Sequence, residues 1–197
     1  MKNTEIIDVR KIVIAGLLIA LGVILPMAFH SLPYALGGRA ILPMHIPVLL
    51  AGLICGPLFG LATGIITPLL SHAITGMPPS PILPAMVFEL AAYGAISGIF
   101  MLLLTFKNTK NLYLKIYVSL IGAMLIGRVI YGAVNAFIFN VGDYSLQGWL
   151  TAAFVTALPG IVIQILAIPS IVVALQRERL INIAPLSDVL KKLEGVK

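Results

Sequence analysis

Apolar residues run through this chain in long blocks separated by short polar or Pro/Gly-rich breaks. The blocks lack the regular polar stripe of a water-facing helix. The first extends from Ile12 to Phe29, and "HSLPYALGGRAILPMH" (His30 to His45) follows it as a loop. Next comes "IPVLLAGLICGPLFGLATGIITPLLSHA", interrupted by Gly56-Pro57. Proline kinks membrane helices as readily as it ends them, so the break alone leaves one long broken helix or two short ones. After "TGMPPSP" a block runs from Ile82 to Phe106, then a polar loop from Lys107 to Asn111. The last two blocks are Tyr113 to Phe139 and Gly148 to Leu175. Several blocks are long enough to cross a hydrocarbon core of ~30 Å.

Composition turns that pattern into a class. Sixty per cent of the residues are hydrophobic and 10% charged, with a mean hydropathy of +1.09. No ordinary soluble domain has that balance, so the expected fold is an all-α integral membrane protein. The first block reads as a span and not a removable signal, since it is long and has no small-x-small cleavage site. The net charge of +6 sits at block ends, which points to topology and not to nucleic acid. Lys2, Arg10 and Lys11 precede the first block. Lys107, Lys110 and Lys115 flank the middle loop, and Arg177, Arg179, Lys191, Lys192 and Lys197 follow the last. A break at Gly56-Pro57 makes six spans and places all these cations on the cytoplasmic side. An unbroken helix makes five and splits them. The positive-inside rule selects six transmembrane helices with N- and C-termini cytoplasmic. The second and third are then short and need a thin or protein-covered position. Residues 1–176 form the expected six-helix transmembrane domain. Residues 177–197 form a cytoplasmic tail, either a short amphipathic helix or disordered. A single cysteine, Cys55, leaves no internal disulfide.

The first block contains "AGLLIALG", with Gly16 and Ala20 four residues apart and Gly22 close by. Such a small-residue strip lets a second helix approach closely, either within the bundle or from a partner. With that strip, the six spans, and "LPMHIPVLLAGLICGPLFGLATGIITPLLSHAITG" (Leu42 to Gly76), the chain resembles the substrate-binding S components of energy-coupling factor (ECF) vitamin transporters, from about Val9 to Leu175. Many members carry a similar Pro-x-Leu-Leu-Ala-Gly…Gly-Pro…Gly…Gly run. The resemblance implies an S-component-like bundle that binds a vitamin or precursor near the outer face. It also implies docking on a transmembrane coupling protein driven by two cytoplasmic ATPases, with Gly16 and Ala20 on the docking face. Nickel and cobalt members need a histidine near the N-terminus, where this chain reads "MKNTEI"; no metal and no cofactor are expected.

Candidate chemistry lies in the few polar residues within spans. Arg128 sits deep in "LIGRVIYGAVNAFIFN", and Tyr131 and Asn135 share its face at i+3 and i+7. Glu89 is the only acid placed clearly inside a span, and Tyr93 follows it at i+4. A charge facing lipid costs several kcal/mol, so Arg128 is expected to face the bundle interior. Two readings stand: Glu89 and Arg128 neutralise each other as a structural pair, or Arg128 meets an anionic group of the substrate while Glu89 orients it. Asn140, Gln164 and Thr156 extend the polar set, and Trp149 reads as an interfacial anchor. His30, His45 and His72 fall at outer span ends or in outer loops. They have no ligand spacing, so they are expected to hold loops, with His72 also a candidate substrate contact. Arg39 is the one outer-loop cation and a candidate lid contact for an anion.

The function these features favour is a binding and translocation subunit with no chemistry of its own. A membrane enzyme would show a nucleophile–base pair or a metalloprotease helix, and neither motif occurs. A self-contained channel or secondary transporter predicts matched broken helices, whereas the Gly-Pro break occurs in one half alone. There is no Walker motif, so ATP dependence falls to partners. The central arginine favours a carboxylate or phosphate, and the Asn, Tyr and Glu suit hydroxyls and amides. Pantothenate combines these; niacin, folate, queuosine precursors and cobalamin fragments stay open.

Overall fold

The computed structural model describes residues 9–30, 41–106, 111–139, 145–178 and 180–181. All regular structure among them is helical. The helices are α1 (Val9–His30), α2 (His45–Cys55), α3 (Pro57–Thr75), α4 (Leu83–Phe106) and α5 (Leu112–Val134). α5 continues as a π-helical turn, Asn135–Phe139. The short α6 (Leu146–Leu150) passes through a second π-helical turn, Thr151–Thr156, into α7 (Leu158–Arg177). Arg39, Asn140, the middle-loop lysines 107 and 110, and the tail from 182 onward lie outside the described residues.

The break at Gly56-Pro57 is real and follows from backbone chemistry. Gly56 has φ 98°, a left-handed-side conformation that a residue with a Cβ resists. Pro57 then starts α3, where its missing N–H is no loss. The chain reverses there, and α2 and α3 fold against each other. Five helices are long and apolar enough to cross a membrane, while α2 is an 11-residue apolar helix. At 1.5 Å per residue α2 is about 16 Å long, roughly half a hydrocarbon core. It is buried on nearly every side, from His45 through Cys55, as expected of a helix apolar all round. Of the two helices expected to be short, α2 is short and covered by protein, whereas α3, with 19 residues, is long enough to cross a membrane.

What surrounds α2 is held by glycine. α3 and α4 run antiparallel, with Gly60 against Gly94, Gly64 against Leu90 and Ala91, and Pro57 against Gly98. A step of four along one helix matches a step of four back along the other. A Cβ at Gly94 would overlap the Gly60 carbonyl, and one at Gly60 would overlap the Gly94 carbonyl. Gly52 of α2 meets the same Gly94 carbonyl, so three helices share one point of backbone contact. The opposite side of α4 uses rings on glycines: Tyr93 lies over Gly127 and Phe100 over Gly122 of α5.

α1 packs on α2 and α3 through Ala15, Leu18, Gly22 and Val23, all buried. Gly22, not Gly16, makes the close approach, to the Thr67 methyl. Gly16 and Ala20 are exposed, and a Cβ at Gly16 meets nothing within 4 Å. At the other end of the chain, the Arg10 guanidinium donates to the Leu180 carbonyl, and Ile181 joins the apolar core. The start of α1 and the end of α7 thus meet at one end of the bundle. Leu17, Leu61, Leu69, Leu103, Leu125, Leu166 and many other large apolar residues remain exposed around the outside, which is tenable against lipid and not against water.

Replacing Gly94 by valine should lower stability by about 3 kcal/mol, because the added carbons meet backbone that cannot rotate away. Gly16→Leu should leave it unchanged. Thermal unfolding in detergent, followed by circular dichroism, measures both; an undisturbed Gly94→Val would remove the glycine contact as the organising one.

Candidate functional site

Three buried residues meet where α2, α4 and α5 come together. Glu89 and Tyr93 are one turn apart on α4, so both point to the same side. The Tyr93 hydroxyl donates to Glu89 Oε1 at 2.9 Å. His45, the first residue of α2, places Nε2 3.8 Å from Glu89 Oε2 and its ring 5.2 Å from the Tyr93 ring. Gly127 is what admits the Tyr93 ring against α5. The next residue on α5 is Arg128, 5% exposed.

Arg128 is held from the α6–α7 side. One guanidinium nitrogen, Nη1, donates to the Ala153 carbonyl, and Cζ stands 5.8 Å from the Phe154 ring centroid, in cation–π range. Ala153 and Phe154 belong to the π-helical turn Thr151–Thr156, a feature that recurs at functional sites. The Trp149 indole donates to the Arg128 carbonyl at 3.3 Å and lies on Gly132, which has no room for a Cβ. The other terminal nitrogen, Nη2, is buried and has no hydrogen-bond partner among the described residues. Burying a cation with a free donor is costly, and each such donor asks what fills it. A guanidinium with an open nitrogen, beside a carboxylate and a phenol, can receive an anion that also offers hydroxyl or amide groups.

A family model of the substrate-specific component of ECF transporters matches residues 10–172. The chain belongs to that family. No curated protein and no solved structure matches it. The matched segment takes in α1 to most of α7 and every residue of the buried cluster. As an ECF substrate-specific component, the protein is a multi-pass protein of the cell membrane. It serves as the substrate-binding subunit of an ECF importer. Its family implies a small-molecule substrate and an ATPase-driven coupling module, and its members are transporter subunits and not enzymes.

The S component brings some sequence-predicted residues together and separates others. Glu89, Tyr93 and Arg128 share one buried region, but Glu89 accepts from Tyr93 and lies 3.8 Å from His45 Nε2, while Arg128 donates to Ala153; among the described residues no ion pair joins the two charges directly. Asn135 is buried at the start of the α5 π-turn, its amide donating to the Tyr131 carbonyl at 2.9 Å. Gln164 is fully buried on α7, and neither polar side-chain atom has a hydrogen-bond partner among the described residues. His72 lies elsewhere. Its Nδ1 is 2.7 Å from the Pro78 carbonyl, which can only accept, so His72 donates and fastens the 77–79 loop. Thr156 is exposed. Trp149, expected as an interfacial anchor, is turned onto α5. Arg39 lies outside the described residues.

His45 is the residue that sequence reasoning missed. It reads as a loop histidine because the polar stretch before it ends there, and no acid is near it in the chain. The fold supplies the acid from α4. A usable signal was its position at the head of an all-apolar segment, where a polar residue is carried inward with the helix.

Since Tyr93 and Glu89 satisfy each other, Glu89→Ala and Tyr93→Phe should couple in stability by about 1.5 kcal/mol or more. A double-mutant cycle on unfolding in detergent measures this, and additive losses would mean that the hydroxyl bonds elsewhere.

Proposed function

We propose that this S component captures a small anionic, water-soluble vitamin or precursor in the buried region around Arg128. In this reading the guanidinium takes the carboxylate or phosphate, and Glu89, Tyr93 and Gln164 meet hydroxyl and amide groups. The observation that carries it is the buried, unpartnered Nη2 of Arg128 beside the Glu89–Tyr93 pair. The orphaned amide of Gln164 supports it from α7. Pantothenate, with a carboxylate, an amide and two hydroxyls, is the first ligand to test. The six-span orientation with cytoplasmic ends is part of the same reading. The meeting of Arg10 and Leu180 supports an even number of crossings, and the cations at that end support the inside. The cluster, placed toward the opposite half of α4 and α5, then faces outward. Energy comes from two cytoplasmic ATPases through a coupling protein that packs on Gly16 and Ala20, whose exposure leaves that strip open.

Mass spectrometry of small molecules released from the purified protein identifies the ligand. Calorimetry with that ligand should show Arg128→Ala losing about 2–5 kcal/mol of binding. Arg128→Lys should recover only part, because an ammonium lacks the bidentate fork. Near-normal affinity in a stable Arg128→Ala protein would sink the anionic-substrate reading.

Gly16→Leu or Ala20→Leu should keep ligand affinity in detergent and abolish uptake in cells that contain the coupling module. Loss of both properties together would place the strip inside the bundle, and retained uptake would move the docking face elsewhere.

A further inference from the structure

A second site lies at the opposite end of the molecule from the buried cluster. A cavity of about 570 Å³ opens between the start of α5 and the end of α7. This is the end at which Arg10 meets Leu180. Tyr113 and Tyr117, one turn apart on α5, form one wall. Val173 and Ala174 on α7 form an apolar floor, and Arg177 and Glu178 stand at the rim. The small residues on α7 leave the space, and the two phenol rings hold it open. Neither the Arg177 guanidinium nor the Glu178 carboxylate has a hydrogen-bond or ion-pair partner among the described residues. On the same two helices Leu114, Val118 and Ile121 of α5 and Ile171 of α7 are exposed apolar residues. The cavity is therefore open sideways to lipid and bounded at its end by charge.

We infer that this groove binds a zwitterionic aminophospholipid, with the phosphate on Arg177, the primary ammonium on Glu178 and the Tyr113 and Tyr117 hydroxyls, and the upper acyl carbons on Val173 and Ala174. Pockets between membrane helices at the basic end are suited to phosphate headgroups, and tyrosines prefer that depth. Charge selects among lipids. A purely anionic headgroup would meet Glu178 and the carbonyl end of α7, both unfavourable to it. A headgroup with both signs meets a partner for each. A primary ammonium offers three N–H donors to carboxylate and phenol oxygens, whereas a trimethylammonium offers none. Phosphatidylethanolamine fits and phosphatidylcholine does not. The inference stands apart from the substrate reading, since it shares no residue with the buried cluster.

The test uses the full chain, reconstituted into vesicles of equal phosphatidylethanolamine, phosphatidylcholine and phosphatidylglycerol, extracted, and weighed by native mass spectrometry. Phosphatidylethanolamine should be retained about tenfold over either other lipid. Arg177→Gln/Glu178→Gln should abolish the preference, with an unchanged melting curve as the check on folding. Glu178→Gln alone should shift retention toward phosphatidylglycerol. Equal retention of the three lipids by the wild-type chain would overturn the assignment, as would wild-type preference for phosphatidylglycerol. If the double variant keeps its lipid preference but loses uptake with the coupling module, the groove is a protein contact and the lipid assignment falls.

Discussion

The backbone contact between Gly60 and Gly94 sets the distance between α3 and α4, and much else follows from it. In a membrane there is little hydrophobic force to draw helices together, because lipid tails are as apolar as the helices themselves. Association rests on packing, and glycine allows the closest packing. Gly52 of α2 reaches the same carbonyl, so the contact also pins the short buried helix. Without it α2 would lose its closest packing, and an 11-residue helix is too short to span a bilayer alone.

The buried polar cluster depends on this arrangement. α2 carries His45 to the level of Glu89 only because the α2–α3 reversal at Gly56 is held against α4. α4 in turn presents Tyr93 to Gly127, which brings Arg128 inside and away from lipid. Charges placed this way are costly in a low-dielectric interior unless each finds a partner. Glu89 has its phenol, and the His45 imidazole stands 3.8 Å away. Arg128 has a carbonyl, a ring face, and one nitrogen left open. In a structural ion pair the two charges would close on each other; here each is held by other groups.

The two faces of α1 show the same economy of small residues put to different ends. Gly22 and its neighbours Ala15 and Leu18 lie against the bundle, and Gly22 touches the Thr67 methyl. Gly16 and Ala20, on the other face, are exposed, and a Cβ at Gly16 would meet nothing among the described residues within 4 Å. One helix thus has an inner seam and an outer strip, each made flat by the absence of large side chains.

Hydropathy alone was enough to define an all-helical membrane protein, because an apolar block of that length has one stable setting. Gly56-Pro57 was legible as a break, and the glycine and proline run from Leu42 to Gly76 was sufficient to suggest the family that the match over residues 10–172 shows. Arg128 and Glu89 stood out because charge inside a span is rare. Pairing was not legible. Lipid and protein interior are equally apolar, so hydropathy does not tell which face of a helix is buried, and Gly16 looked as suited to a seam as Gly22. The partners of Arg128 come from α6–α7, and His45 meets an acid 44 positions further along the chain. Contacts between residues so far apart depend on how helices cross, and only the tertiary packing of the glycine faces decided that.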